Sequence, residues 1–199
     1  MKNLSQNAPL QQTVENPSDV PQSILQGPGP NGGRIRNICG DMDMRIDAEG
    51  RWYHEGSPIG RMELVRLFAS VLRRDEAGDH WLVTPVEAAR IRVEDAPFVV
   101  VEASREEGPD GVRVKLRNNL DEEAVLDGEH ALRVETDPQT GEPRPYVHWR
   151  GGMEARLGRS VYYDLVSWGR EVERDGALWL MIDSAGDSFP LGKLDEEAN

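Results

Sequence analysis

Apolar and polar positions fall into short, recurring patterns once a polar opening stretch is passed. In Asp41-Met42-Asp43-Met44-Arg45-Ile46-Asp47 the apolar residues occupy alternate places. That alternation predicts a strand with Met42, Met44 and Ile46 turned to a core and the aspartates and Arg45 turned outward. Ala48-Glu49-Gly50 supplies a turn and Arg51-Trp52-Tyr53-His54 a returning strand, so the pair is predicted to be a hairpin. The period then changes. After Pro58 and Gly60, Leu64, Leu67, Phe68, Val71 and Leu72 recur every three or four residues, as on one face of a helix. Asp75 to Gly78 ends that helix and Trp81-Leu82-Val83 follows as a third strand, giving the order β, β, α, β.

Beyond Pro85, the segments Ile91 to Val93, Phe98 to Val101, Val112 to Arg117 and Ala124 to Leu126 read as an antiparallel meander with Gly- and Asp-bearing turns. The opening pattern then returns. Leu132-Arg133-Val134-Glu135 parallels Met44-Arg45-Ile46-Asp47, and Tyr146-Val147-His148 parallels Trp52-Tyr53-His54. From Ile59 onward the match runs without a gap at an offset of 98 residues, pairing Gly60-Arg61 with Gly158-Arg159, Leu67 with Leu165, and Trp81-Leu82 with Trp179-Leu180. Agreement of element order with residue identity predicts an internal duplication, and a period this long means two domains, not a solenoid. The expected fold class is α+β: a flexible N-terminal tail over 1–37, a β-β-α-β domain over 38–86, and a larger C-terminal domain over 87–199. The last would combine the antiparallel meander with the second copy.

Composition refines this picture. The first 37 residues are rich in Gln, Asn, Pro and Gly without an apolar period, hence a tail holding at most one short helix. Its Gly27-Pro28-Gly29-Pro30-Asn31-Gly32 satisfies G-x-G-x-x-G, but no strand precedes it, and its prolines lack the N–H groups that hold a phosphate. With no apolar run long enough to cross a bilayer and no apolar leader, the expected location is cytoplasmic. A net charge of -13 argues against nucleic-acid and anionic-membrane partners. One strand departs from that balance, with Arg113, Lys115 and Arg117 on a single face; an acidic neighbour such as Asp121-Glu122-Glu123 is its expected partner. The only cysteine, Cys39, can form no intramolecular disulfide and is expected to be a small buried hydrophobe.

Several strings taken together are longer than these patterns require: Cys39-Gly40-Asp41, His54-Glu55-Gly56-Ser57-Pro58-Ile59-Gly60-Arg61, Val83-Thr84-Pro85-Val86-Glu87, Glu94-Asp95-Ala96-Pro97-Phe98 and Gly141-Glu142-Pro143-Arg144-Pro145-Tyr146. In them the chain resembles a bacterial family known only as domain of unknown function twelve-eighty-five. The resemblance runs from the end of the tail to Pro190-Leu191-Gly192. It implies a two-domain α+β chain with a repeated core, a C-terminal domain loosely like pleckstrin-homology folds, a ligand site where the domains meet, and a signalling or regulatory role.

Candidate chemistry concentrates between Trp52 and Arg61, a strand-to-helix connection of the kind that presents polar groups on a rigid frame. His54 and Glu55 as base and orienting carboxylate for Ser57 fit poorly, because strand neighbours point to opposite faces and Ser57 lacks a G-x-S-x-G elbow. A metal site from Asp43, His54 and His148 rests on the two histidines holding equivalent places in the repeats; the alternative is that each hydrogen-bonds its own hairpin. Gly60-Arg61 and Gly158-Arg159 open the two helices, where an anion is welcome, unless each arginine pairs with an acid such as Asp43 or Glu63. Trp149 beside Arg150-Gly151-Gly152 is the tryptophan most suited to line a site. The expected ligand-binding set is Trp52, His54, Glu55, Ser57, Arg61, His148, Trp149, Arg150 and Arg159. These residues favour a non-enzymatic ligand-binding or regulatory protein with its site between the domains, taking a small anionic ligand and no cofactor. The alternative is a metal-assisted hydrolase using His54, His148 and Asp43. Neither reading names a protein partner.

Overall fold

The computed structural model describes residues 21–25, 35, 37–108 and 111–194. Among these, fifteen strands and three helices form, so the described chain is mostly β. A short helix α1 (Gln22–Leu25) comes first. Strands β1 (Asn37–Ile46), β2 (Trp52–His54) and β3 (Ser57–Pro58) precede helix α2 (Met62–Ser70), and β4 (Leu72–Arg74), β5 (His80–Val83) and β6 (Glu87–Val93) follow it. Then come β7 (Phe98–Gly108), β8 (Gly111–Asn118) and β9 (Glu123–Val125). Three strands again, β10 (Leu132–Thr136), β11 (Pro143–Arg150) and β12 (Met153–Leu157), lead into helix α3 (Arg159–Trp168). The chain closes with β13 (Arg170–Arg174), β14 (Ala177–Ser184) and β15 (Asp187–Leu194). Three strands, a helix and three strands thus occur twice, with β7 to β9 between them. No helix among the described residues is long and apolar enough to cross a membrane.

Two compact units divide the chain: Met1–Asp43 with Val71–Ile91, and Met44–Ser70 with Arg92–Asn199. In the first, Ile24, Leu25 and Ile35 are buried together with Trp81, Val83 and Ala88. Three apolar residues of the segment read as a tail are therefore core, each contributing on the order of 1.5–3 kcal/mol by leaving water. Most of the rest of that segment, including Gly27 to Gly33, lies outside the described residues. Trp81 is fixed by its polar edge as well, since its indole N–H donates to Asp75 Oδ2 at 2.8 Å. Strand β6, expected to start the meander, instead pairs with β5 through Leu82↔Ala89 and Val83↔Ala88. Cys39 is exposed, not buried. Its thiol is held above its ordinary pKa by partial desolvation of the sulfur and by the nearby Glu87 carboxylate, which disfavour the thiolate.

Helix α2 stops earlier than its apolar period suggested. At its end the Ser70 hydroxyl donates to Leu67 O, and Leu72, fully buried, pairs with Leu82 in a strand instead. The buried face of α2 carries Val65 and Ala69, whereas Leu67 is 60% exposed. In α3 the residue aligned with Leu67 is Leu165, and it is fully buried together with Val161. Helices that align in sequence thus bury faces two residues apart, roughly 200° around the axis.

Met44 and Ile46 are buried as alternation predicts, but Met42 is exposed and Asp47 is only 4% exposed. Asp47 is inward because it closes the β1–β2 turn. Its carboxylate accepts N–H groups from Glu49 at 3.0 Å and Arg51 at 2.9 Å, and the Arg51 Nε at 2.8 Å. Burial works to raise its pKa, and these donors more than offset that, so the group sits below the ordinary carboxylate range.

The second unit is organised on the sheet order β10-β11-β12-β7-β8-β9, with a separate β13-β14-β15 sheet. A parallel pairing of β7 with β12, Ala155↔Phe98 to Leu157↔Val100, joins two antiparallel sets. Phe98, Val100, Val114, Leu116, Val147 and Leu157 are buried along these strands. The basic face of β8 is answered chiefly by β7: Lys115 Nζ lies 2.7 Å from Glu106, and Arg117 pairs with Glu102. Asp121, from the acidic stretch expected to do this, adds a bond to Arg117 at 2.8 Å.

Candidate functional site

All nine expected ligand-binding residues lie in the second unit, and they divide by environment. Trp52 is core: it is 2% exposed and its ring stacks on Phe68 with centroids 6.2 Å apart. His54, Glu55, Ser57 and Arg61 are exposed along the β2–β3 hairpin and the entry to α2. Glu55 takes a left-handed backbone conformation in that turn, with φ 49°. On β11, alternation separates neighbours. His148 is exposed, with Nδ1 2.7 Å from Glu129 O in the connection that precedes β10. Trp149 is buried, and its indole N–H donates to Glu122 Oε2 at 2.7 Å. Arg150 divides its guanidinium between Ala69 O at 2.9 Å and Glu122 Oε1 at 3.1 Å, and lies 4.9 Å from the Phe98 ring centroid. Trp149 and Arg150 are thus both held by Glu122, the tryptophan buried and the arginine half-buried. Among the described residues no three His, Cys, Asp or Glu are gathered to hold a metal ion, so Asp43, His54 and His148 make no such group.

Arg159 is different. It opens α3 after Gly158, which offers no side-chain cap, and it lines a cavity of about 480 Å³ with Arg144, Arg156, Tyr162 and Tyr163. The β10–β11 connection forms the facing wall through Asp137, Thr140 and Glu142. Asp137 is bound up in its own turn, accepting the N–H groups of Gln139 at 2.8 Å and Thr140 at 3.0 Å, which hold its pKa below the ordinary range. Asp95 answers two guanidiniums of the lining at once: Arg144 Nη2 lies 3.1 Å and Arg156 Nε 3.3 Å from it. Tyr146 donates its hydroxyl to the same carboxylate at 2.8 Å. Burial first, and then that bond to Asp95, push the Tyr146 phenol up to about 12, so it stays a donor. Arg144 also has Asp137 Oδ2 at 3.8 Å, and Arg159, its side chain 74% exposed, has Glu142 only at 3.9 Å. Its Nε donates to the Tyr163 hydroxyl at 3.2 Å.

A second cavity, of about 580 Å³, is lined by Arg105, Trp168, Arg170 and Asp183. Of its two cations, Arg170 makes two hydrogen bonds to Asp183, the longer at 3.0 Å, which keep that carboxyl below its usual pKa, and the charge of Arg105 acts on the same carboxyl. In the first unit His80 stands out, being absent from the expected site. Its Nε2 is buried without a hydrogen-bond partner among the described residues. Burial, and then the charge of Arg74, push its pKa down to about 4.

Sequence reasoning reached Arg159 through the Gly-Arg repeat but passed over Arg144, Arg156, Tyr162 and Tyr163. A signal existed for the tyrosines: spacings of three and four from Arg159 place them on its helix face. For Arg144 and Arg156, on different strands, nothing in the linear sequence announces their shared carboxylate.

Comparison with known proteins agrees at the level of family. A model described as "Protein of unknown function (DUF1285), C-terminal domain" matches residues 97–191, and one described as "Domain of unknown function (DUF1285), N-terminal domain" matches residues 36–96. The fold is similar to the crystal structure of a DUF1285 family protein from Silicibacter pomeroyi DSS-3, with 39% identity, TM-score 0.72, and coverage of 84% of this chain and 89% of that one. It is also similar to a DUF1285 family protein from Shewanella baltica OS155, with 26% identity, TM-score 0.50, and coverage of 63% and 91% respectively. No curated protein matches the chain.

Proposed function

The chain belongs to the DUF1285 family, and on that premise we propose that it is a non-enzymatic ligand-binding protein of regulatory type, whose second unit takes up a small anion beside α3. The observation that carries this reading is Arg159: an exposed guanidinium whose ion-pair partner among the described residues, Glu142, is 3.9 Å away, lining a cavity that also holds Arg144 and Arg156. An arginine so placed can grip a carboxylate or phosphate through two parallel hydrogen bonds. The start of α3 adds the positive end of a helix dipole to the same region. A cavity of about 480 Å³ also falls in the range, roughly 300–1,000 Å³, that encloses small organic ligands.

Two finer readings of the fold accompany this one. The recurrence of three strands, a helix and three strands, with the helices in register at the offset of 98 residues, supports an internal duplication around a β-β-α-β core. The antiparallel strands followed by α3 in the second unit support a loose likeness to pleckstrin-homology folds.

A thermal-shift series with inorganic phosphate at low ionic strength tests the binding claim. A ligand present at 100 times its Kd should stabilise the native state by about 2.7 kcal/mol, enough to raise the melting temperature measurably. Arg159→Glu should abolish the shift, and Arg61→Glu, at the aligned position of the other copy, should leave it intact. No shift in the native protein, or loss of the shift in Arg61→Glu instead, would contradict the proposal.

A further inference from the structure

Resting on the anion reading of the α3 cavity, we infer that its ligand carries a flat ring next to the anionic group: an aromatic phosphate or carboxylate rather than a bare inorganic anion. Size is the first argument. A lone phosphate at Arg159 would leave most of the roughly 480 Å³ cavity to water, so the space is built for something larger. The lining is the second. Tyr163 is 54% exposed and lines this cavity, so its ring is open to a ligand there. Its hydroxyl is engaged by Arg159 Nε at 3.2 Å, and the guanidinium carbon lies 5.8 Å from the ring centroid. The cation and the ring are therefore presented side by side, at the spacing of an anionic group and the ring that bears it. Tyr162 has its hydroxyl tied to Leu191 O at 2.7 Å, and Pro143, Pro145 and Leu157 supply apolar wall. Such a surface favours a ring over a polyhydroxylated ligand.

Titration calorimetry on the full chain separates the parts of this inference, using inorganic phosphate, phenyl phosphate, benzoate and phenol as probes. Phenyl phosphate should bind about tenfold tighter than inorganic phosphate, the size expected of one aromatic contact. Benzoate decides whether a carboxylate serves as well as a phosphate, and phenol should bind weakly for want of charge. Tyr163→Ala should bring phenyl phosphate down to the affinity of inorganic phosphate, and Tyr163→Phe should keep the difference. Because Tyr163 is exposed, both variants should fold, which circular dichroism checks. Equal affinities for phenyl and inorganic phosphate in the native protein would overturn the ring while leaving the anion site standing. Absence of binding by every anion would overturn both.

Discussion

Acidifying the solution from pH 7 to pH 4 should weaken the fold through a single imidazole. His80 is held at about 4, against 6.5 for an unperturbed histidine, chiefly because burial disfavours its charged form and secondly because Arg74 repels it. Above pH 6.5 the ring is neutral in folded and unfolded chains alike, and its full contribution to stability is present. Between 6.5 and about 4 the unfolded chain takes up a proton that the folded one refuses, so stability is lost as the pH falls. Below that window both forms are charged and the loss is complete. At 1.36 kcal/mol per pKa unit, the displacement corresponds to about 3 kcal/mol. Aspartates with lowered pKa, such as Asp47 and Asp183, have ordinary values of 3.8 and so weaken the fold mainly below this window. The assay is chemical denaturation at several pH values from 7 to 4, comparing the native protein with His80→Phe. The variant removes the titrating ring but leaves His54, His130 and His148, whose effects cancel in the comparison. The native protein should lose about 3 kcal/mol more than the variant across the window. At pH 7 the variant should be as stable or slightly more so, since it removes a buried nitrogen that has no partner. Equal losses in the two proteins, or a His80 ring that titrates near pH 6 by nuclear magnetic resonance, would refute the reasoning.

Other expectations concern the second unit. A β-carbon at Gly50 would lie 2.8 Å from Asn119 Nδ2 and 2.9 Å from Val99 Cγ2, and Asn119 is pinned by hydrogen bonds to Gly50 O and from Val99 N. Gly56 has a similar positive φ with nothing within 4 Å. Gly56→Ala should therefore cost only backbone strain, about 1–2 kcal/mol, and Gly50→Ala about 1–3 kcal/mol more, read from denaturation midpoints. Glu122→Ala should destabilise by about 1–3 kcal/mol, because it leaves the buried indole N–H of Trp149 unpaired. Glu122→Gln, which keeps an acceptor oxygen, should cost less.

Elements set by local chemistry were legible in the sequence. Alternation found β1 and the turn at Asp47 to Gly50, and Gly-Asp turns located β7, β8 and β9. What escaped was set by distant contacts. Leu67 carries the same helical period as Leu165, yet only Leu165 is covered, because what packs on each helix is not written in the helix. Ile24 and Ile35 looked like stray apolar residues in a polar stretch, and their burial depends on Trp81, far along the chain. At the site, Arg159 was visible through its repeat, whereas Trp149 and Arg150 looked like site residues until Glu122 was seen to hold both. The cavity itself depends on β11, β12 and α3 bringing Arg144, Arg156 and Arg159 to one place.

The central claim, that the α3 cavity is where this protein binds its ligand, is tested most directly by mapping amide shifts in a two-dimensional nuclear magnetic resonance spectrum during titration with phenyl phosphate. Saturable shifts clustered at Gly158 to Tyr163 and along the β10–β11 connection from Asp137 to Arg144 are the predicted result. Shifts clustered instead at Trp52 to Arg61 or His148 to Gly152, or none that saturate, would contradict it.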